Sequence, residues 1–169
     1  DDNASGTAVL LGLVERVAEE EPPLGVNLLF VAFSAEELWL FGSRYFAGRN
    51  SATEGLDLMI NFDMVGRNRD EPMQAILQGL EEDPLKLLRS SAERSAMELK
   101  FEEDSGADSS DHAPFRNAEV PTLFFFSGFH DQYHRLDDEE ELVEVERLEA
   151  LVETVYRFLI ESYTLKPSM

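Results

Sequence analysis

The chain has 169 residues, of which 35 are acidic and 14 are basic, so its formal net charge is −21. That length suits one domain with its own core, and a hydrophobic content of 43% is too high for a disordered chain. The charge argues against nucleic-acid partners and anionic membranes, and the absence of cysteine excludes disulfides and thiolate metal sites.

The hydrophobic pattern predicts alternating helices and buried strands. Helical spacing of apolar residues indicates amphipathic helices, the first of them capped by Asn3 or Ser5, whereas short unbroken apolar runs indicate strands buried on both faces. In chain order the pattern predicts a helix at 7–20, a strand at 26–33, a helix at 38–49, strands at 56–62 and 74–78, a helix at 83–97, a strand at 120–126 and a long helix at 139–163. Such alternation predicts an α/β fold around a mostly parallel sheet.

Acidic and imidazole side chains follow the carboxyl ends of the predicted strands, where open α/β sheets place their sites. Glu36 and Glu37 follow the first strand, Asp63 the second and His134 the last, while Asp2 directly precedes the first helix. In a chain without cysteine, carboxylates and imidazoles are the available ligands for zinc or a similar divalent ion. The sequence therefore predicts a metal site at this edge of the sheet.

Each of these residues also has an ordinary structural interpretation, which for His134 is that of a loop histidine. Asp2 is in place to cap a helix, and Glu36 and Glu37 are in place to favour the positive end of the next helix dipole. Asp63 follows an apolar strand, so a buried carboxylate there needs a partner, which Arg67 or a cation would supply. Adjacent strand residues point to opposite faces, so Glu36 and Glu37 can share a site only if they lie in the loop after the strand.

Five segments follow one another along the chain: Asp-Asn-x-Ser-Gly at 2–6, Phe-Ser-Ala-Glu-Glu-Leu at 33–38, Ile-Asn-Phe-Asp-Met-Val-Gly-Arg at 60–67, Ser-Asp-His-Ala-Pro-Phe at 110–115 and Tyr-His-Arg at 133–135. In this order they resemble the co-catalytic di-zinc aminopeptidases, the family of the bacterial leucyl aminopeptidases and aminopeptidase Y, with glutamate carboxypeptidase and glutaminyl cyclase as relatives. The resemblance implies a three-layer α/β/α fold with a mixed, mostly parallel sheet. It also implies one zinc-peptidase catalytic domain at 1–169 that lacks its N-terminal portion.

The resemblance implies that five residues carry the chemistry of a metal-dependent exopeptidase, which would hydrolyse the N-terminal residue of a peptide. The implied roles are a ligand bridging two zinc ions for Asp2, ligands of one zinc for Glu37 and His134, a ligand of the other for Asp63, and the general base for Glu36. The family's remaining ligand is a histidine upstream of the bridging aspartate, and no histidine precedes His112 in this sequence. We therefore expect these 169 residues alone to bind one zinc ion or none, rather than two, and to have weak or no activity.

Further expectations concern substrate, partners and location. Asp111 and Tyr133 are candidates for contacts with the peptide substrate, and the resemblance implies a cis peptide bond between Asp2 and Asn3. We expect no nucleic-acid partner and no membrane insertion, whereas an exposed sheet edge would allow self-association. The resemblance implies a secreted, periplasmic or cell-envelope location, with the targeting segment outside this chain.

Two other functions stay open at this point. A carboxypeptidase or a glutaminyl cyclase could use the same scaffold, and some relatives are non-catalytic interaction domains that have lost their metals. The five candidate residues are all retained, which argues against such a loss. Acidity combined with only three lysines among the 14 basic residues favours salt adaptation, the alternative being an ordinary acidic protein.

Overall fold

The computed structural model describes residues 1–106 and 109–165 of the chain, apart from the side chains of residues 50 and 51. Those residues form helices and strands that alternate along most of the chain. The helices are α1 (Ala4–Glu20), α2 (Phe41–Ala47), α3 (Asn50–Thr53), α4 (Glu82–Arg94), α5 (Ala113–Asn117) and α6 (Val145–Tyr163), and the strands are β1 (Met59–Phe62), β2 (Met73–Gln78), β3 (Leu99–Glu103) and β4 (Thr122–Phe126). None of the described helices has the length and apolar character that a bilayer span requires.

The four strands form one mixed sheet in the order β1-β4-β2-β3. β1 is parallel to β4 and β2 is parallel to β3, whereas β4 and β2 are antiparallel. The mixed, mostly parallel sheet is therefore confirmed. Because β1 and β4 run in the same direction, the residues that follow both strands lie at one edge of the sheet.

Alternate strand residues face two different layers of helices. Phe62 of β1 and Phe125 of β4 stack with ring centroids 5.7 Å apart in the main core, which α1, α4 and α6 cover. Met59 of β1 belongs instead to a smaller core on the opposite face, with Phe46 of α2 and Phe115 of α5. The sheet thus lies between two helical layers, as the α/β/α prediction requires.

The prediction of a strand at 26–33 is wrong. This segment has no regular secondary structure, and no backbone hydrogen bond joins it to another described residue. Its side chains nevertheless alternate as they would in a strand, since Leu28 and Phe30 pack against the main core and Phe33 against the smaller one. The segment has the hydrophobic pattern of a strand but no neighbouring strand to pair with.

Candidate metal centre and active site

Asp2 lies at the amino end of α1, where the neighbouring Asn3 ties the helix to β1. The Asn3 side chain accepts a hydrogen bond from the Gly6 N–H (3.0 Å) and donates one to the Phe62 carbonyl (2.9 Å). Gly6 permits this close approach, because a Cβ at that position would lie 2.3 Å from the Phe62 oxygen. The Asp2–Asn3 peptide bond is cis, as the resemblance implies. Asn3 is the capping residue, so the interpretation of Asp2 as a helix cap is wrong.

The residues around Asp2 hold its backbone in place. Asp138 accepts a hydrogen bond from the Asp2 N–H at 3.1 Å. The carboxylate of Asp1 is buried, accepts a hydrogen bond from the Gly66 N–H at 2.9 Å and lies 3.3 Å from Nε2 of His130. These contacts leave the Asp2 carboxylate turned towards the carboxyl edge of the sheet.

Glu36 and Glu37 lie in the loop between segment 26–33 and α2. The loop leaves strand geometry, with positive φ angles at Ala35, Trp39 and Leu40. Both glutamates line one cavity with Asp2 and Asp63, as a loop position allows. Since α2 begins only at Phe41 and has no acidic residue in its first turn, the interpretation of the glutamates as helix-dipole partners is wrong.

The side chains of Asp2, Glu37 and His134 converge. His134 Nε2 lies 2.9 Å from Glu37 Oε1 and 3.3 Å from Asp2 Oδ2, and one ligand atom of each residue lies within 4.8 Å of the others. Donor atoms that bind one zinc ion at about 2.0–2.2 Å lie roughly 3–4 Å apart, and the two distances from His134 are close to that range. The Tyr133 ring stacks on that of His134 with centroids 3.8 Å apart.

Asp63 lies directly after β1, and its carboxylate accepts a hydrogen bond from a serine hydroxyl. Ser110 Oγ donates to Asp63 Oδ2 at 2.7 Å, and the Asn61 side chain donates in turn to Ser110 Oγ at 2.8 Å. The Arg67 side chain instead donates a hydrogen bond to the side-chain oxygen of Gln132 at 2.6 Å and contacts the ring of His130. The interpretation of Arg67 as the partner of Asp63 is therefore wrong.

The carboxylates of the site raise one another's pKa. Burial, together with repulsion from neighbouring carboxylates, raises the pKa of Glu36 to about 7 and that of Asp63 to about 6. Burial also raises the pKa of Asp2 and that of Asp111. The negative charges of these two residues in turn raise the pKa of Glu36 and that of Asp63. Among the described residues, no lysine or arginine contributes to these four pKa shifts. Apart from His134 and the terminal ammonium group, which lower the pKa of Asp2, no cationic group of the described residues acts on these shifts. Such a concentration of carboxylates favours the binding of a cation.

Tyr133 also borders this cluster. Burial is the main cause that raises the pKa of its hydroxyl, and the charges of Asp2, Glu37, Asp63 and Glu36 raise it further. Its phenol group is therefore protonated and available as a hydrogen-bond donor beside the carboxylates.

The sequence pattern does not indicate Ser110 or Asn61 as part of the site. Asn61 is a polar residue inside an apolar strand, and it lies two positions before Asp63, on the same face of β1. Ser110 precedes Asp111 in the segment that carries the resemblance. A polar residue inside an apolar strand is the signal that points to Asn61, whereas the contact with Ser110 depends on the fold.

Comparison with known proteins identifies the family of this fold and site. The model of peptidase family M28 matches residues 1–159, and the chain belongs to that family. Aminopeptidase YwaD of Bacillus subtilis (strain 168) is 31% identical over 159 residues, which cover 88% of this chain and 34% of that protein. Glutaminyl-peptide cyclotransferase of Bos taurus is 27% identical over an alignment of 183 residues, covering 88% and 49%.

The structural comparison agrees with the family assignment. The structure of BSAP, described as a zinc aminopeptidase from Bacillus subtilis, superposes with a TM-score of 0.82 and 26% identity, covering 99% of this chain and 43% of that one. An aminopeptidase from Aneurinibacillus sp. strain AM-1 superposes with a TM-score of 0.82 and 23% identity, covering 98% and 40%. The chain thus spans less than half the length of each of these four relatives.

Proposed function

We propose that this chain carries the catalytic residues of a zinc-dependent aminopeptidase, which hydrolyses the N-terminal residue of a peptide. The observation that carries the proposal is the convergence of Asp2, Glu37 and His134 at the carboxyl edge of the sheet. Glu36 and Asp63 line the same cavity as Asp2 and Glu37. The names of an aminopeptidase and a zinc aminopeptidase among the relatives support this reaction class.

The donor set suits zinc. Asp2, Glu37 and His134 would hold one ion, and Asp2 with Asp63 would supply two ligands of a second. Two such ions sharing a carboxylate would polarise the scissile carbonyl and lower the pKa of an attacking water towards neutrality.

Glu36 is the proposed general base. In the metal-free chain, burial and neighbouring carboxylates raise the pKa of Glu36 to about 7. Bound cations would lower this pKa, and the burial of Glu36 opposes that lowering, which helps the group to accept and release a proton. It would take the proton from the attacking water and then deliver it to the nitrogen of the leaving amine. Tyr133 is the proposed donor to the substrate carbonyl oxygen, and Asp111 a proposed partner of the substrate's free amine.

Substitution of Glu36 tests the proposed base. We expect Glu36→Gln in the intact enzyme to lower kcat on leucine p-nitroanilide by at least a hundredfold while leaving the zinc content unchanged. Glu93→Gln, at an exposed position on α4, is the matched control and should keep full activity. Retained activity in Glu36→Gln would remove Glu36 from the mechanism.

Zinc titration tests the ligand set in the 169-residue chain itself. We expect calorimetry to detect at most one tight zinc site, because only one cluster of three ligands lies among the described residues. His134→Asn should abolish that site, whereas Asp63→Asn should leave it in place. Two tight zinc sites, or one that survives His134→Asn, would contradict the assignment.

A substrate panel separates the aminopeptidase from the other open functions. Likeness to a glutaminyl-peptide cyclotransferase keeps cyclisation of N-terminal glutamine as the second candidate. The panel compares leucine p-nitroanilide, a peptide with N-terminal glutamine and one with C-terminal glutamate. Activity only on the second or third substrate would replace the proposal, and a zinc-loaded intact enzyme inactive on all three would favour a non-catalytic interaction domain.

A further inference from the structure

A cluster of buried polar side chains adjoins the candidate metal centre. Their exposed fractions range from 0% to 9%, whereas those of the candidate ligands Asp2 and His134 are 20% and 48%. The members of this buried cluster are Asp1, Arg67, His130 and Asp138. The proposed reaction uses none of the four. Because burial of charged groups is unfavourable unless they are paired, the contacts within the cluster indicate what it does.

His130 lies between Asp1 and Arg67. Its Nε2 is 3.3 Å from Oδ2 of Asp1, and its Nδ1 is 3.3 Å from Nη2 of Arg67. A guanidinium group only donates, so Nδ1 accepts from Arg67 and Nε2 carries the hydrogen that faces the Asp1 carboxylate. Burial lowers the pKa of His130 and the charge of Arg67 lowers it further, in keeping with this neutral ring. Among the described residues, Nε2 and Oδ2 have no other hydrogen-bond partner.

Asp138 closes the cluster on its other side. Its Oδ2 accepts a hydrogen bond from the Asp2 N–H at 3.1 Å, and its Oδ1 lies 3.8 Å from Nη2 of Arg67. His130 lies four positions before His134, and Asp138 lies four positions after it. The cluster therefore attaches both ends of the loop that carries His134 to the segment that carries Asp2.

The backbone of His134 needs such support. Its φ angle is +57°, in the left-handed region that residues other than glycine seldom adopt. A conformation of this kind persists only where the surrounding structure enforces it. The turn that leads to His134 begins at His130, whose carbonyl accepts a hydrogen bond from the Tyr133 N–H at 3.0 Å. The side chain of His130 thus fixes the start of this turn.

We propose that His130 is a positioning residue of the candidate metal centre. By joining Asp1 to Arg67, its side chain holds His134 against Asp2, so that both ligands are in place before a cation binds. Ligands held in this way lose little conformational freedom on binding, which favours affinity. The role rests on the proposed function, since it presupposes a cation at the centre.

The zinc affinity of His130 variants tests this role in the intact enzyme. His130→Phe keeps a ring but loses both polar contacts, so we expect the free zinc concentration for half loading to rise by about tenfold. His130→Gln should retain most of the affinity, because its amide nitrogen is as many bonds from the backbone as Nε2 and can donate to Asp1. His112→Phe is the matched control and should bind zinc as the wild type does. His112 is equally buried and also lies 3.3 Å from a carboxylate, that of Asp104.

Hydrogen exchange of the metal-free enzyme separates positioning from stability. We expect His130→Phe to speed exchange at least tenfold in fragments that contain Tyr133 and Gly66, whose N–H donates to the Asp1 carboxylate. Fragments of α6 should keep their wild-type rates. Faster exchange in α6 as well would overturn the proposal, because weaker zinc binding would then follow from unfolding.

The zinc measurements distinguish failure of this role from failure of the proposed function. An intact wild-type enzyme that binds no zinc would overturn the proposed function, and the role of His130 with it. Wild-type zinc affinity in His130→Phe would overturn the positioning role alone. Equal weakening in His130→Phe and His112→Phe would also overturn it, because any buried histidine would then have the same effect.

Discussion

At the scale of single residues, the site combines groups that favour ionisation with groups that oppose it. Asp63 is the clearest case, since burial and neighbouring carboxylates raise its pKa while the Ser110 hydroxyl lowers it. A hydrogen bond to the charged form of a carboxyl group stabilises that form. Ser110 therefore keeps Asp63 closer to the ionised state that a metal ligand requires.

Removal of the Ser110 hydroxyl tests this balance. We expect Ser110→Ala to raise the pKa of Asp63 above about 6, because the hydrogen bond that lowers it is lost. The titration can be followed by carbon NMR of the Asp63 carboxyl in metal-free protein. Ser127→Ala is a matched control, since that buried hydroxyl donates to the carbonyl of Met64, the residue after Asp63. An unchanged pKa in Ser110→Ala would remove the hydroxyl from this role.

The raised pKa values also predict how stability depends on pH. In the folded chain the pKa of Asp63 is about 6 and that of Glu36 about 7, above their ordinary values of 3.8 and 4.5. Between the unfolded and folded pKa values, the folded chain binds more protons than the unfolded one. This stabilising contribution is therefore complete below pH about 4 and is lost as the pH rises to about 7. After allowance for solvent screening, the loss should be on the order of 2 kcal/mol.

Urea unfolding of metal-free protein between pH 4 and pH 8 measures this loss. The matched protein is the double variant Asp63→Asn with Glu36→Gln, which lacks both titrating groups but keeps their size. The free energy of unfolding of the wild-type chain should fall relative to that of the variant as the pH rises. Parallel curves for the two proteins would contradict the assignment of raised pKa values to these residues.

At the scale of helices and strands, the sequence predicts what depends on local pattern and misses what depends on pairing. The apolar spacing predicts α1 closely and α6 at its carboxyl end, since an amphipathic helix satisfies its own backbone. The predicted start of the last helix at residue 139 is wrong, because α6 begins at Val145. The same kind of pattern fails at 26–33, because a strand needs a neighbour. Conversely, the pattern does not predict β3, which is an edge strand. Its charged residues Lys100 and Glu102 interrupt the apolar run that would indicate a strand.

In the candidate site, too, the sequence predicts the position of some residues but not the tertiary contacts that they make. The placement of Glu36, Asp63 and His134 after strand-like segments predicts that they lie near one edge of the sheet, and the fold brings them there. The pairing of Asp63 with Ser110 joins residues 47 positions apart in the sequence. Such a contact follows from tertiary packing, so no local pattern predicts it.

The contact between α1 and β1 gives a test at this scale. Gly6→Ala would place a Cβ 2.3 Å from the Phe62 carbonyl oxygen, which forces the helix and the strand apart. We expect it to lower the free energy of unfolding by about 2–3 kcal/mol. Gly12→Ala in the same helix is the control. Its Cβ would lie 3.1 Å from a terminal methyl of Val152, and alanine is the better helix former.

Urea unfolding of the two alanine variants decides this point. Gly12→Ala should remain within about 1 kcal/mol of the wild-type chain, since the helix-forming advantage of alanine offsets a small shift of Val152. Equal stability of Gly6→Ala and Gly12→Ala would mean that the close approach of α1 to β1 is not required.

At the scale of the whole molecule, the excess of 21 negative charges opposes the compact state in which they are brought together. Several carboxylates of the site add to this repulsion while no cation is bound, because they lie close to one another. A divalent cation at the site would relieve the local part of the repulsion, and dissolved salt would screen the rest. Stability should therefore depend on both.

The salt dependence can be measured directly. Raising KCl from 0.1 M to 1 M shortens the Debye length from about 10 Å to about 3 Å, which screens repulsion between surface carboxylates. We expect the urea midpoint of the metal-free chain at pH 7 to rise over this range. The control is the same comparison near the isoelectric point, where the net charge vanishes and only the salting-out effect of KCl remains. Equal salt effects at the two pH values would mean that repulsion among the acidic residues does not limit the stability of this fold, and would remove the basis for salt adaptation.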